Sequence, residues 1–405
     1  MRLVYKFNVK QHEHLKQLCK ISKNLYNQAL YVVKHKLNTN NKWLFYNDLN
    51  TLLQHTPNLE GEINYRLLKA QVSQQCLKIL EKDVKSYIKA IKDYSKNKSK
   101  YNGCPRFPKY KKNLNQLIYT NQSCSIKNGY IHLSKTLKVR IPQWEKYKSK
   151  LSTFQQVRIN PHLNDSFVIE IVYIDNTQLN YDLNMDLYAS IDLGVNNMTT
   201  LVLPNSNPLL YNGKQIKSKN QYFNKTISRL KSCLGSTKRS SKQIKNLYNK
   251  REYQIGDTFH KLSRNIIKQL INNKVGNLVV GYNKGWKDSI HLGKRNNQTF
   301  VSIPYERLIN YLRYKCEQCG IHFNVIEEGY TSKCDALAFE QICKHDIYLG
   351  KRVKRGLYQS SVGKLINADV NGSLNILRKV VGDCEQIVHI INSGWLFQPL
   401  MVNIL

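Results

Sequence analysis

Apolar and polar positions alternate over residues 2–9, RLVYKFNV, which predicts a strand at the start of the chain. From Gln11 to Leu37 the apolar residues Leu15, Leu18, Ile21, Leu25, Ala29 and Val32/Val33 recur at helical spacing. A second amphipathic helix is expected over about 64–94. There Leu68, Val72, Cys76, Leu80, Val84, Ile88 and Ile91 share one stripe and lysines fill the opposite face. Residues 95–113, SKNKSKYNGCPRFPKYKKN, are basic and broken by Gly and Pro, and read as a connection. Short alternating runs follow as far as Asp175, with a KNG turn at Lys127–Gly129 separating two of them. They predict a small antiparallel barrel or sheet, and 175–187 reads as a linker after it.

The second half has a different pattern. YASIDLG and MTTLVLP are two apolar strands meeting at GVNN, a tight hairpin. A long basic helical stretch over about 215–273 ends with Ile255, Phe259, Leu262, Ile266, Ile267 and Leu270 on one side. A strand at 277–282, a helix at about 304–319, a strand at 321–326 and a last helix opening within NADVNGSLNILRKVV complete the series. Hairpin strands followed by helix–strand alternation predict an α/β domain, so the fold class expected is α/β plus β.

Composition narrows the function. An apolar share of 41 % over 405 residues provides enough for sizeable cores and excludes a disordered tail. Lys and Arg number 63 against 27 acids, a formal net charge of +36, which is stable in a compact fold if a polyanion neutralises it. Basic residues are interleaved with aromatics, as in FPKYKK, where Lys109 and Lys111 are candidate phosphate contacts. Gln71 and Gln75, one turn apart on a helix, are candidates for reading base edges, against a plain polar face. Trp286 and Lys287 in NKGWK are a further candidate contact, against a surface hairpin. With no apolar run of membrane-spanning length, no signal peptide and ten scattered cysteines, a reduced, cytoplasmic protein is expected.

Phosphodiester cleavage at neutral pH commonly uses two divalent cations held by about three carboxylates from separate elements. Asp192 lies in an apolar strand just before a glycine, where it either caps a turn or ligates metal. Asp369 begins a helix, where it either caps the N-terminus or joins Asp192. NADVNGSLNIL holds too many small and polar residues for an ordinary buried helix start, so something approaches it closely. No acid follows NLVV: Gly281, Tyr282 and Asn283 stand there. Glu327 and Glu328 follow the next strand and are the candidates for the third carboxylate, against two exposed strand-end glutamates. Cys316 and Cys319 fall at helical spacing and are expected in a core. His260, on a helix, is expected to pack rather than to act as a base.

At these residues the sequence resembles TnpB, the nuclease of small insertion sequences, which is related to the type V CRISPR effectors. The resemblance runs through LYNQAL, GCPRFPKYKK, SIDLGVNN, DTFHKLSRNI, GYNKGWK, YTSKC and INADVNGSLNILRK and covers essentially the whole chain. It implies an RNase H-like RuvC nuclease domain over 181–405. It also implies a β-barrel, wedge-like domain over 1–10 and 96–180, and a helical recognition insertion over 11–95. The implied activity is RNA-guided, Mg2+-dependent DNA cleavage next to a short flanking motif, with guide RNA from the transposon end and double-stranded target DNA as partners. Carried over, the first and last RuvC aspartates are Asp192 and Asp369. The usual glutamate would fall at Gly281–Asn283. Some members place it on the next strand before YTS, which selects Glu328 over Glu327. Many members also bind zinc through two C-x-x-C pairs after YTS; here 331–366 is degenerate, and only Cys334, Cys343 and His345 offer a three-ligand Zn2+ site. The alternatives to an active nuclease are a catalytically impaired, RNA-guided DNA-binding protein and a conventional transposase.

Overall fold

A computed structural model describes residues 1–175, 179, 181–235, 237–283 and 302–404. The chain divides into two compact units, 1–176 and 177–405.

In the first unit β1 (Arg2–Val9) leads into α1 (Glu13–Asn40), α2 (Tyr46–Leu53) and α3 (Ala70–Lys96). The predicted stripe of α3 is buried at Val72, Cys76, Leu80 and Val84, but the helix begins later than the pattern suggests, because 64–69 form turns. After the basic connection come β2 (Leu117–Thr120), β3 (Ser125–Lys127), β4 (Tyr130–His132), β5 (Lys138–Arg140), α4 (Trp144–Leu151), β6 (Phe154–Pro161) and β7 (Phe167–Ile174). These strands form a four-stranded antiparallel sheet, β1-β7-β6-β2, and a separate three-stranded sheet, β3-β4-β5. Among the described residues the strands do not close into one ring. Alternation identifies strands but does not say which edges meet.

A buried polar network joins the helices of this unit to the chain entering β2. Asn115 Nδ2 donates to Ser22 Oγ at 3.0 Å, and Lys111 Nζ donates to Asn115 Oδ1 at 2.6 Å while lying 4.0 Å over the ring of Tyr26.

The second unit is built on one six-stranded mixed sheet. Its strands are β8 (Asn184–Leu193), β9 (Asn197–Leu203), β10 (Ser206–Asn212), then, after α5 (Lys214–Ser232) and α6 (Lys242–Asn272), β11 (Val275–Gly281). Helix α7 (Tyr305–Gln318) precedes β12 (His322–Ile326). A small sheet of β13 (Lys351–Lys354), β14 (Leu357–Gln359) and β15 (Leu365–Asn367) leads into α8 (Ala368–Val381), α9 (Glu385–Asn392) and β16 (Leu400–Val402). The large sheet has the order β12-β11-β8-β9-β10-β16. β8, β9 and β10 are antiparallel neighbours, whereas β11 runs parallel to β8 and β12 parallel to β11. The carboxyl ends of β8, β11 and β12 therefore lie at the same edge.

One core cluster includes β8, β11, α6 and α7, among them Phe259, Leu262, Tyr305 and Leu308. Cys316 and Cys319 are buried in that cluster, as their helical spacing predicts. A second cluster includes Ile366 and the apolar residues of α8 and α9. Small residues let α8 approach β8. Ser373 Oγ donates to the backbone oxygens of Ser190 at 3.1 Å and Thr200 at 3.2 Å, and Ser190 Oγ donates back to Ser373 O at 2.7 Å. Truncation of the fully buried Phe259 to alanine is expected to destabilise the protein by about 3–5 kcal/mol. Chemical denaturation with a probe in this unit reads that loss.

Candidate active site

Asp192 is the penultimate residue of β8. Asp369 lies in the first turn of α8, and Glu328 stands two residues beyond β12. Strand order and direction thus bring the ends of two parallel strands and the start of one helix to the same place.

Asp369 does not cap its helix. Asn367 is the N-cap, and its side-chain oxygen accepts from the backbone N–H groups of Asp369 at 2.9 Å and Val370 at 3.3 Å. The Asp369 carboxylate is thereby left for side-chain partners: Asn197 Nδ2 donates to Oδ2 at 2.7 Å, and an Arg352 guanidinium nitrogen lies 3.4 Å from Oδ1. The close approach expected at this helix is by Asp192 itself. A Cβ on Gly372 would stand 3.1 Å from Asp192 Oδ2, so this turn of α8 accommodates the carboxylate because it has no side chain there.

Glu328 occupies comparable space beside β11. A Cβ on Gly281 would lie 3.2 Å from Glu328 Oε2 and would collide with Ile376 of α8. The Glu328 backbone N–H donates to Asn283 Oδ1 at 2.9 Å, which fixes the turn after β12. Gly281 pairs with Ile326 in the parallel register, so Glu328, two residues past that strand, stands beside a glycine.

The site's electrostatics follow from this crowding. Desolvation, followed by the charges of Glu328 and Asp369, raises the Asp192 pKa well above the usual carboxylate range. Burial pushes Glu328 up to about 7, against the opposing pull of Lys379. Tyr305, the buried first residue of α7, feels the charges of both acids and donates from its hydroxyl to Gly194 O at 2.8 Å. Asp192 feels both other acids, but the three carboxylates are not drawn around a single point. Among the described residues no three His, Cys, Asp or Glu form a group compact enough to hold an ion. As a donor set they are all-oxygen and anionic, which suits a hard cation such as Mg2+.

Glu327 is exposed and points elsewhere, lining a cleft of about 680 Å³ with Tyr282, Asn283, Glu306, Asn310 and Arg313. The other candidates separate clearly. Gln71 is tied within the first unit, donating to Gln122 Oε1 at 2.8 Å and accepting from the Thr120 hydroxyl, so its amide is not free to read a base. Lys111 is partly buried against Tyr26 and Asn115, and burial lowers its pKa. Gln75 is half-buried and Lys109 exposed. Trp286 and Lys287 lie outside the described residues. His260 is exposed on α6 and stacks on Tyr311 with ring centroids 4.0 Å apart; partial desolvation and the cations Lys315, Arg307 and Arg264 hold its pKa down at about 4. The three candidate zinc ligands do not converge. Cys343 Sγ and His345 Nε2 are 3.3 Å apart, whereas the Cys334 thiol turns to the Cys343 carbonyl oxygen at 3.7 Å. Sequence reasoning missed Arg352 and Asn197, because one cation among 63 and one amide carry no signal until Asp369 is beside them.

Comparison with known proteins agrees with this architecture. Residues 172–287 match the family model OrfB_IS605, described as "Probable transposase", and residues 305–376 match the model "Cas12f1-like, TNB domain". The TnpB-like protein ORF457 of Acidianus two-tailed virus is 30 % identical over 202 residues, covering 48 % of this chain and 42 % of that protein. The chain thus aligns with less than half the length of this relative. Among solved structures, a Cas12f1–sgRNA–target DNA complex aligns with a TM-score of 0.53 at 14 % identity, over 90 % of this chain and 82 % of that one. The mini-RNA-guided endonuclease CRISPR-Cas_phi3 aligns with a TM-score of 0.53 at 9 % identity, over 94 % and 93 %. At these identities the likeness is one of fold, shared with both proteins. The matched models and the viral relative agree with the resemblance to TnpB carried by the sequence motifs. No helix among the described residues is long and apolar enough to cross a membrane.

The electrostatics make a prediction of definite sign. A carboxyl whose pKa is raised on folding binds its proton more tightly in the native state, so the stability it contributes is lost as pH rises through the folded value. In a metal chelator, wild-type melting temperature is expected to fall between pH 5 and 7.5, a range spanning the folded pKa of Glu328, about 7. Asp192→Asn is expected to melt higher at the upper end and to show a shallower slope. An unchanged slope in this variant counts against charge crowding at the site.

Proposed function

We propose that this protein is an RNA-guided, Mg2+-dependent DNA endonuclease in which Asp192, Glu328 and Asp369 hold the metal. The observation that carries this reading is the arrival of three carboxylates at one edge of the sheet, Glu328 filling the room left by Gly281. When bound, Mg2+ would polarise the scissile phosphate and make water acidic enough to attack it near neutral pH. Asn197 orients the Asp369 carboxylate through its amide, and Arg352, half-exposed on β13, offers a cation to the phosphate or to the leaving oxygen. Tyr305, buried and near enough to feel the charges of Asp192 and Glu328, holds the turn after β8 through Gly194 O. The surrounding positive charge retains the RNA–DNA hybrid and the displaced strand. Base pairing by a guide, which we place at the transposon end, reads the sequence, while the protein reads a short flanking motif.

The Arg352–Asp369 ion pair supports a second reading, in which the cation neutralises the acid and the protein only binds guided DNA.

Plasmid cleavage by the protein copurified with RNA from the adjoining element end distinguishes the two. Linearisation in Mg2+ but not in chelator is expected. Asp192→Ala and Glu328→Ala should each lose at least roughly 100-fold in rate, since even partners behind a metal ligand cost 10–100-fold. Glu327→Ala should retain cleavage. Equal cleavage by Glu328→Ala and the wild type removes Glu328 from the mechanism, and guided binding without any cleavage favours the second reading.

A further inference from the structure

The segment 331–366 lacks the four zinc ligands that many TnpB-like proteins carry there, yet it is firmly built. Its centre is a carboxylate. Asp335 is fully buried, and its Oδ2 accepts three hydrogen bonds: from Ser360 Oγ at 2.8 Å, Ser361 N at 2.7 Å and Ser361 Oγ at 3.0 Å. Its Oδ1 accepts from Leu337 N at 3.1 Å. Glu340, also buried, accepts from Asp335 N at 2.6 Å and Leu349 N at 2.9 Å. Donors on chain segments about 25 residues apart thus converge on one acid, the job a tetrahedral metal does with ligands from two knuckles. A buried carboxylate with this many donors is satisfied without a cation.

The same turn is fastened to the helix that carries Asp369. Asn371 Nδ2 and Asn375 Nδ2 both donate to Cys334 O, at 2.9 Å and 2.7 Å, and Ala336 N donates to Asn371 Oδ1 at 3.1 Å. Ser360 and Ser361 directly follow β14, which pairs with β13, the strand of Arg352. Asp335 therefore lies between the helix bearing Asp369 and the hairpin bearing Arg352.

We propose that Asp335 is a metal-free clasp: it replaces structural zinc in this segment and acts as a positioning residue that registers the Arg352 hairpin against Asp369. The positioning half rests on the carboxylate centre described under the proposed function; the zinc-free half does not.

The test uses the full chain copurified with its RNA. Elemental analysis should find well under one zinc per chain, and a zinc-selective chelator should leave the melting temperature unchanged. Cys343→Ser should melt like the wild type. Asp335→Asn, which keeps the shape but turns one acceptor oxygen into a donor group, should melt roughly 5–10 °C lower. One zinc per chain, with melting lost on chelation, overturns the zinc-free half.

For positioning, the readout is the Mg2+ concentration giving half-maximal rise in melting temperature. Asp335→Asn should raise it roughly 10-fold, as loss of a partner behind a metal ligand does. Phe259→Ala, destabilised in the core instead, should leave it unchanged. Equal midpoints in wild type and Asp335→Asn overturn the positioning half. Absence of any Mg2+ stabilisation in the wild type overturns it together with the carboxylate centre, leaving the zinc-free half to stand or fall on metal content and melting.

Discussion

The close packing of α8 against β8 is the constraint on which the site depends. It requires small residues at the contact, a serine on each element exchanging hydrogen bonds, and a glycine where a carboxylate needs room. Without it, Asp369 and Asp192 would be two acids at the ends of unrelated elements. With it, like charges share a poorly hydrated corner, and the fold accepts that repulsion. The surrounding core offsets it: Ala189 and Ile191 flank the acid's strand, and Val370, Leu374 and Leu377 anchor the helix, all buried.

Charge is distributed unevenly in this molecule. An excess of 36 positive charges covers a chain whose second unit turns carboxylates inward. Under the proposed function the separation has a physical logic: a polyanionic ligand is drawn to the surface, whereas the place where a phosphate reacts has to attract counter-ions of its own. Arg352 and Lys379 sit at the boundary. Arg352 meets Asp369, and Lys379 donates to the backbone oxygens of Glu327 and Gly329 at 3.1 Å and 2.8 Å, holding the turn that presents Glu328.

Much of this was legible in the sequence, for reasons that differ by residue. The strands and helices of the second unit follow from apolar periodicity, and the acids at positions 192, 328 and 369 stand out because they end or begin apolar elements in a chain with few acids. The pairing of the first unit's strands into two sheets was not legible, since alternation in short runs is the same in a barrel and in separate sheets. Nor was the fate of individual cations. Lys109 and Lys111 look alike in FPKYKK, yet one is exposed and the other is partly buried over Tyr26. Gln71 looked like a free helical amide because Thr120 and Gln122, its partners, are some fifty residues away in sequence. Asn367 took the capping role that Asp369 had seemed equally suited to fill, a choice made by two residues of register.

The glycine at the end of β11 also constrains how such a centre changes over evolutionary time. Because Gly281 shares one small volume with Glu328 and Ile376, a larger residue at this position fits only if Ile376 gives way. An acid at position 281 would therefore need a smaller residue at 376 beside it. Positions 281 and 376 are thus bound to vary as a pair, although they lie on a strand and a helix far apart in sequence.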